Sequence, residues 1–530
     1  MYVFSKSKLL LLIAGIILLA SCGNGEPEPV VPVSPDSVTV LADSVSIEKG
    51  GSAKVSFTVS PPDFQFNYHV GASGCCISLG GSVGRFYLED VVRTGAGEYE
   101  AVLRDNGTGG SYALPAFVVY SNNGVYVQSK PFAVVREDPI PVPEYTLTGL
   151  PVVHLQTSAY VNSKENWVSG TISIDGTEEL AGLDEIACQV KGRGNTTWSW
   201  PKKPYTIKLD KKKEVLGMPA HKRWVLLANF MDRTLMRNMV SMKVGSILDN
   251  LAWTPKCRPV ELVMNGLHRG TYLLIEQVRV DKKRVNIDEE KGFLLECDFH
   301  YDNEIQWIDH HGRCNNWSDG IPFSIKHPDT DVITAPAVDS IKNYISEVAG
   351  ALYSDGFEGK YPAYLNVDSY VDYWIAFEVM GNHELQNPGS VYMHRDDGGL
   401  LTAGPLWDFD WGVLSYNTSP GARTGLIDRH AIWYDRLFDD PAFRAKVKAR
   451  WEQVLPSLRE IIPFIDEQKV ILERSAKLNF AMWNPAQDAS MNGGHIINGD
   501  ENLSYSSAVD RLRNIYSERL NVITSKLSEM

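Results

Sequence analysis

Residues 381–412 read GNHELQNPGSVYMHRDDGGLLTAGPLWDFDWG, and the fold is read outward from this stretch. Val391 to His394 alternates like a half-buried strand, Asp396-Asp397-Gly398-Gly399 is a hairpin turn signal, and Leu400 to Leu406 returns as the second strand. That return strand delivers Trp407-Asp408-Phe409-Asp410-Trp411. Strand periodicity puts Asp408 and Asp410 on one face, where two carboxylates repel unless a metal cation, Lys or Arg lies between them. Ligands made only of oxygen suit magnesium, manganese or calcium better than zinc. A bare D-x-D spacing is more often that of a solvated turn than of a metal site.

At 530 residues the chain is too long for one core, so two or three domains are expected. A formal charge of −14 excludes a chain covered in the basic surface that nucleic acid requires. Lys6 and Lys8 precede an apolar run, Leu9 to Ala20, which ends in Leu19-Ala20-Ser21-Cys22-Gly23. The run is short for a bilayer span, and small residues before a cysteine mark processing, so residues 1–22 read as a bacterial lipoprotein signal. Cys22 is then the lipidated residue that holds the protein to a membrane of the cell envelope, expected to be the outer membrane.

Residues 23–35 are a Pro-rich acidic tether. Residues 36–137 carry short alternating runs separated by Gly, Asn and Pro, which predicts an all-β sandwich of immunoglobulin type. Residues 138–143 are a second Pro-rich linker, and 144–530 form the larger α+β domain. Six cysteines remain after processing: Cys75, Cys76, Cys188, Cys257, Cys297 and Cys314. None makes a C-x-x-C pair, and the spacing leaves their pairing open.

Within the larger domain, QVKGRGNTTWSWPKKPYTIKL (189–209) gathers Lys191, Arg193, Lys202, Lys203 and Lys208. These cations either meet an anion or form a solvated strand face. Gly192 and Gly194 beside Arg193 allow backbone N–H groups to approach a phosphate. Asp232 is placed to cap a helix running to Leu248. Asn265-Gly266 predicts a type I′ hairpin, and Glu276 in its apolar return strand needs a cationic partner. Tyr301 to Asp319 reads as a polar loop, with His310 and His311 as loop residues. Helical periodicity follows over Ala335–Ala351, Val367–Met380, Ala431–Phe438, Pro441–Val454, Leu458–Leu478 and Ser506–Leu527, a helical C-terminal lobe in which Arg511, Arg513 and Arg519 read as a solvated face.

The ordered blocks KGRGNTTWSWPKKPYTIKL, WVLLANFMDRTLMRN, PVELVMNGLHRGTYLLIEQV, GFLLECD and GPLWDFDWG resemble the CotH kinase family of atypical bacterial kinases, over most of residues 147–525. The resemblance implies a divergent protein-kinase-like, two-lobed fold. It implies transfer of the γ-phosphoryl group of ATP to Ser or Thr of a protein, with Mg²⁺ or Mn²⁺. Carried over, Asp408 is the metal-binding aspartate with Asp410 beside it, and Glu384 stands where the family carries its catalytic Asp, one methylene longer. Arg193, Lys203, Lys208 and Glu276 become the nucleotide-contacting groups. Two other readings stay open: a non-catalytic surface lipoprotein that binds glycan or protein, and a glycoside hydrolase using Glu384 and Asp408 as paired carboxylates.

Overall fold

The computed structural model describes residues 35–48, 50–64, 74–79, 86–105, 113–122, 125–136, 143–299, 305–314, 319–485 and 498–530. The signal with Cys22, the tether to residue 34 and the linker at 137–142 lie outside them, as do the ends of the 301–319 segment.

Nine strands come first: β1 (Ser37–Val40), β2 (Ser44–Ile47), β3 (Ser52–Ser60), β4 (Gly74–Leu79), β5 (Phe86–Gly95), β6 (Glu98–Asp105), β7 (Ala113–Asn122), β8 (Val125–Gln128) and β9 (Phe132–Arg136). They form two sheets, one ordered β1-β3-β6-β5 and the other β2-β9-β7-β4 with β8 beside β7. Alternation decides which side faces inward: in β3, Val55, Phe57 and Val59 are buried while Lys54 and Ser56 are exposed. Those three share one core with Val45, Ile47, Phe132 and Val134 of the second sheet.

Seven strands then close a barrel: β10 (Val152–Thr157), β11 (Val168–Asp175), β12 (Leu183–Gly192), β13 (Tyr205–Val215), β14 (Met218–Leu227), β15 (Cys257–Met264) and β16 (Leu267–Glu276), in the order β10-β11-β12-β13-β14-β16-β15. Parallel pairing of β10 with β15 seals it and leaves no free edge. Val153, Leu155, Val190, Ile207, Leu226, Leu262 and Leu274 fill the interior. The β15–β16 turn has Asn265 and Gly266 at φ 53° and 81°, the type I′ geometry the sequence predicts. Between β12 and β13 a single turn, α1 (Thr196–Ser199), carries Trp198. Gly192 and Gly194 flank Arg193 before it, and a Cβ on either would strike Trp198 or Thr197. Both glycines are therefore required by packing on their own turn.

A five-stranded sheet, ordered β18-β19-β17-β20-β21, follows from β17 (Phe293–Cys297), β18 (Gln306–Arg313), β19 (Asp319–His327), β20 (Val391–Arg395) and β21 (Thr402–Ala403). The helices are α2 (Arg237–Gly245), α3 (Ala335–Leu352), α4 (Val367–Met380), α5 (Tyr434–Asp439), α6 (Pro441–Arg459), α7 (Ile461–Met482) and α8 (Tyr505–Ser528). From Ser369 onward every residue of α4 is buried, most of them apolar, and its two acids are paired, Asp372 with Arg450 (2.7 Å) and Glu378 with Arg519 (2.6 Å). None of the described helices is long and apolar enough to cross a membrane.

Several expectations are corrected. The helix placed at Asp232 begins at Arg237, because the Asp232 carboxylate accepts the Arg237 and Thr234 N–H groups (2.8 and 2.9 Å) and holds the chain in a turn. The segment read as a loop contains β18, and His311 there pairs with Asp309 (3.2 Å). Arg519 is buried, not solvated. It donates to Glu378 Oε2 (2.6 Å) and to the carbonyls of Glu378, Ala422 and Gly425, tying α8 to α4. Cys188, Cys257 and Cys297 are free and buried, and the buried Cys314 thiol donates to the Gly320 carbonyl (2.9 Å).

Candidate functional site

The stretch 381–412 wraps the end of α4 and the edge of the second sheet. Gly381 ends α4 at φ 60°, the left-handed cap that glycine supplies without strain. The Asn382 side chain then accepts the Glu384 N–H (2.9 Å) and starts a short 3₁₀ turn, His383–Leu385. That turn aims Glu384 into a cavity of about 1030 Å³. β20 leads away and β21 returns, but the return strand stops at Ala403. Asp408 sits at φ 62°, so Trp407 to Trp411 is a loop and strand periodicity does not place its carboxylates. Tertiary contacts place them instead. Phe409 is fully buried against Phe377 of α4 (4.8 Å between ring centroids), and its N–H donates to Asn238 Oδ1 (2.8 Å). Asn238 Nδ2 in turn donates to Asp410 Oδ2 (3.1 Å). Arg237, one residue earlier, donates through Nε to the Val413 carbonyl (2.8 Å) and pairs with Asp232 and Asp500. The start of α2 is thus a clamp on this loop, and Asp408 and Asp410 both face the cavity.

Glu384, Asp408 and Asp410 repel one another where water is scarce. Burial, then Asp408 and Asp410, push the Glu384 carboxyl well above the ordinary glutamate range. Burial raises Asp408 although Arg193 opposes it. Burial and then Asp408 and Asp232 push Asp410 up to about 8. Glu384 Oε2 is shielded from solvent and has no hydrogen-bond partner among the described residues.

The barrel side of the cavity carries the opposite charge. Lys191 and Arg223 lie over the Trp167 ring at 5.1 and 4.8 Å from its centroid, and Arg193 lies over Trp407 at 5.2 Å. Burial and then Arg223 lower the Lys191 pKa, while burial and then Arg279 lower that of Arg223. Like charges are therefore crowded there as well. Between the walls, β17 and β19 supply Glu296 and Lys326, paired at 3.0 Å.

Of the predicted residues, the structure brings together Arg193, Glu384, Asp408 and Asp410. Lys203, Lys208 and Glu276 are not among the residues lining this cavity. Lys203 donates to the Trp198 carbonyl (2.6 Å) and its ammonium lies over that ring. Lys208 sits in the β12-β13-β14 ladder opposite Gln189 and Arg223. Glu276 finds its expected cation in Arg284 (2.6 Å), a buried pair next to Trp224. Sequence reasoning missed Arg223, Glu296, Lys326 and Asn238. A lone charge in an apolar run, as in Phe293-Leu294-Leu295-Glu296, is the signal that could have found Glu296.

Among the described residues no group of three or more His, Cys, Asp or Glu is arranged to hold a metal ion. Asp408 and Asp410, a pair and not a set of three, offer the oxygen donors that a hard divalent cation takes when most of its shell comes from other oxygens, and the orphaned Glu384 Oε2 lies in the same cavity.

No curated relative matches the chain. Three solved structures show faint likeness. The Yersinia pseudotuberculosis adhesin InvE is 11% identical, with 33% of this chain and 54% of that one covered and a TM-score of 0.13, so the chain spans about half of it. A marsupial T cell receptor is 9% identical over 32% of this chain and 90% of that one, with a TM-score of 0.14. The Escherichia coli adhesin FdeC is 10% identical over 57% and 78%, with a TM-score of 0.15. At these scores none bears on fold or function. A family model is decisive instead: the model described as CotH kinase protein matches residues 190–523, from the end of β12 into α8, and more than half of the chain. The chain belongs to the CotH kinase protein family.

Proposed function

We propose that the domain from residue 144 onward is a divergent kinase-like phosphotransferase that uses ATP with Mg²⁺ or Mn²⁺ and acts on Ser or Thr of a protein. In this reading it is held to the cell envelope through lipidated Cys22, behind a sandwich of immunoglobulin type. One observation carries the chemistry: a single cavity sets crowded cations on one wall against crowded carboxylates on the other. The protein's own opposite charges, Arg193 toward Asp408 and Glu165 and Asp329 toward Lys191 and Arg223, do not cancel the burial that destabilises either set, and a nucleotide polyphosphate with its divalent cation complements both.

Asp408 and Asp410 would hold the metal, which when bound neutralises charge on the phosphoryl oxygens. The rest is done by the chain itself. Lys191, Arg193 and Arg223 bind the phosphate oxygens. Glu384, held by the Asn382 cap, accepts the proton of the attacking hydroxyl when it is in its ionised form. Asn238 holds Asp410 in register.

The test is thermal unfolding of the purified protein with ATP and Mg²⁺ or Mn²⁺, against Asp408→Ala. Ligand at a hundred times its Kd stabilises the native state by about 2.7 kcal/mol. A metal-dependent rise in Tm that the variant loses supports the proposal. No rise at millimolar nucleotide refutes it and favours the same scaffold as a non-catalytic surface protein binding glycan or protein.

A further inference from the structure

A second cavity lies away from the cleft and shares no lining residue with it. It measures about 570 Å³ and opens between α7, the start of α8 and the loop before α2. From α7 it takes Val470, Glu473, Arg474, Lys477 and Phe480, whose spacing puts them on one face of that helix. Arg233 closes the far side. Its guanidinium stacks on Phe480 (4.2 Å to the ring centroid), and its Nε donates to the Leu503 carbonyl (2.7 Å). Its Nη1 is shielded from solvent with no hydrogen-bond partner among the described residues.

Two features of this face are left over by the fold, although Arg233 bonds the Leu503 carbonyl and Arg474 Nη1 donates to the Leu147 carbonyl (2.9 Å). Val470 is 73% exposed, the most exposed large apolar side chain among the described residues, and Ile471 beside it is 40% exposed. Arg233, Arg474 and Lys477 face a single carboxylate, Glu473, and none of the three has an ion-pair partner among the described residues, in a chain of net charge −14. Neighbouring cations on the same two helices are paired: Lys469 with Asp510 (2.6 Å) and Arg513 with Asp466 (2.8 Å). Unpaired cations next to an exposed apolar strip are the complement of an acidic segment that carries an apolar anchor.

We infer that the α7–α8 cavity is a docking site for an acidic segment of a partner protein, with its carboxylates on Arg233, Arg474 and Lys477 and an apolar side chain against Val470 and Phe480. The site lies outside the phosphotransfer cleft and does not depend on catalysis.

The probe is a short fluorescein-labelled peptide of glutamates around one leucine and one tryptophan, followed by anisotropy with the full chain. Its counterpart has lysine in place of each glutamate. Binding of the acidic peptide weakens with added salt and falls on the order of tenfold in Arg474→Glu/Lys477→Glu, which turns two exposed attractions into repulsions. Val470→Ser weakens it at unchanged salt dependence. Tm and the ATP-induced shift stay at wild-type values in these variants. Equal binding of the two peptides, unchanged binding in the double variant, or no binding at millimolar peptide overturns the inference. So does charge-dependent binding to phosphatidylglycerol vesicles in the absence of peptide binding, which would make the patch a membrane contact.

Discussion

Asp410→Asn is predicted to make the protein more stable in metal-free buffer, and increasingly so as pH rises. Burial, Asp408 and Asp232 move the Asp410 carboxyl from 3.8 to about 8 in the folded chain. Between those values the native state holds a proton that the unfolded chain has released, so wild-type stability falls as pH rises through the window. The slope is at most about 1.4 kcal/mol per pH unit, or about 3 kcal/mol from pH 5 to pH 7. Asp410 is only half-buried, so water screens part of this and about 1–2 kcal/mol is expected. Asparagine removes the titration and keeps an oxygen that can accept from Asn238 Nδ2. Urea unfolding followed by tryptophan fluorescence, with chelator present, should show the variant's advantage growing from pH 5 to pH 7 and levelling off above pH 8. The same variant should lose the metal-dependent ATP shift. A variant less stable than wild type at pH 7, or a difference that does not change with pH, refutes the argument that these carboxylates repel in a dry cleft.

Three further outcomes follow from the same geometry. Arg519→Met leaves Glu378 buried without its cation and orphans the Ala422 and Gly425 carbonyls, so chemical denaturation should show a loss of about 3–5 kcal/mol, and less than 1 would mean the pair is dispensable. Glu384→Gln should cut phosphotransfer by roughly 10²–10⁴-fold while the ATP·Mg²⁺ shift in Tm survives, since the base acts on the acceptor hydroxyl; an unchanged rate removes Glu384 from that role. Titration calorimetry with ATP should show weaker binding in Arg193→Ala, which loses a cavity cation, and wild-type affinity in Lys208→Ala, whose side chain is outside the cavity lining; the reverse ranking would move the nucleotide elsewhere.

Much of the architecture was legible because it is written in local chemistry. The β3 alternation, the Asn265-Gly266 turn and the bounds of α4 each follow from a few adjacent residues. The family blocks were legible for a different reason, since they are recognisable strings in a fixed order. Reading Asp408 and Asp410 as a strand gave a correct pairing through a wrong geometry, because a backbone at φ 62° obeys no two-residue period. Arg519 was misread because an arginine every few residues on an amphipathic helix looks the same whether it meets water or a buried glutamate.

By itself, then, the sequence determined the two-part organisation of sheets followed by a helical lobe, the acidic balance, and which acids and cations were available to a site. Tertiary structure decided which of them meet. Lys191, Arg193, Arg223, Glu296, Lys326, Glu384, Asp408 and Asp410 are spread over more than two hundred residues, and closure of the barrel, the β17–β19 pairing and the Asn238 clamp gather them into one cavity. Lys203, Lys208 and Glu276 lie in equally basic or apolar strings yet are not among the residues that line it. The physical reason is that charge and burial interact through space, and distance along the chain does not set distance in the fold.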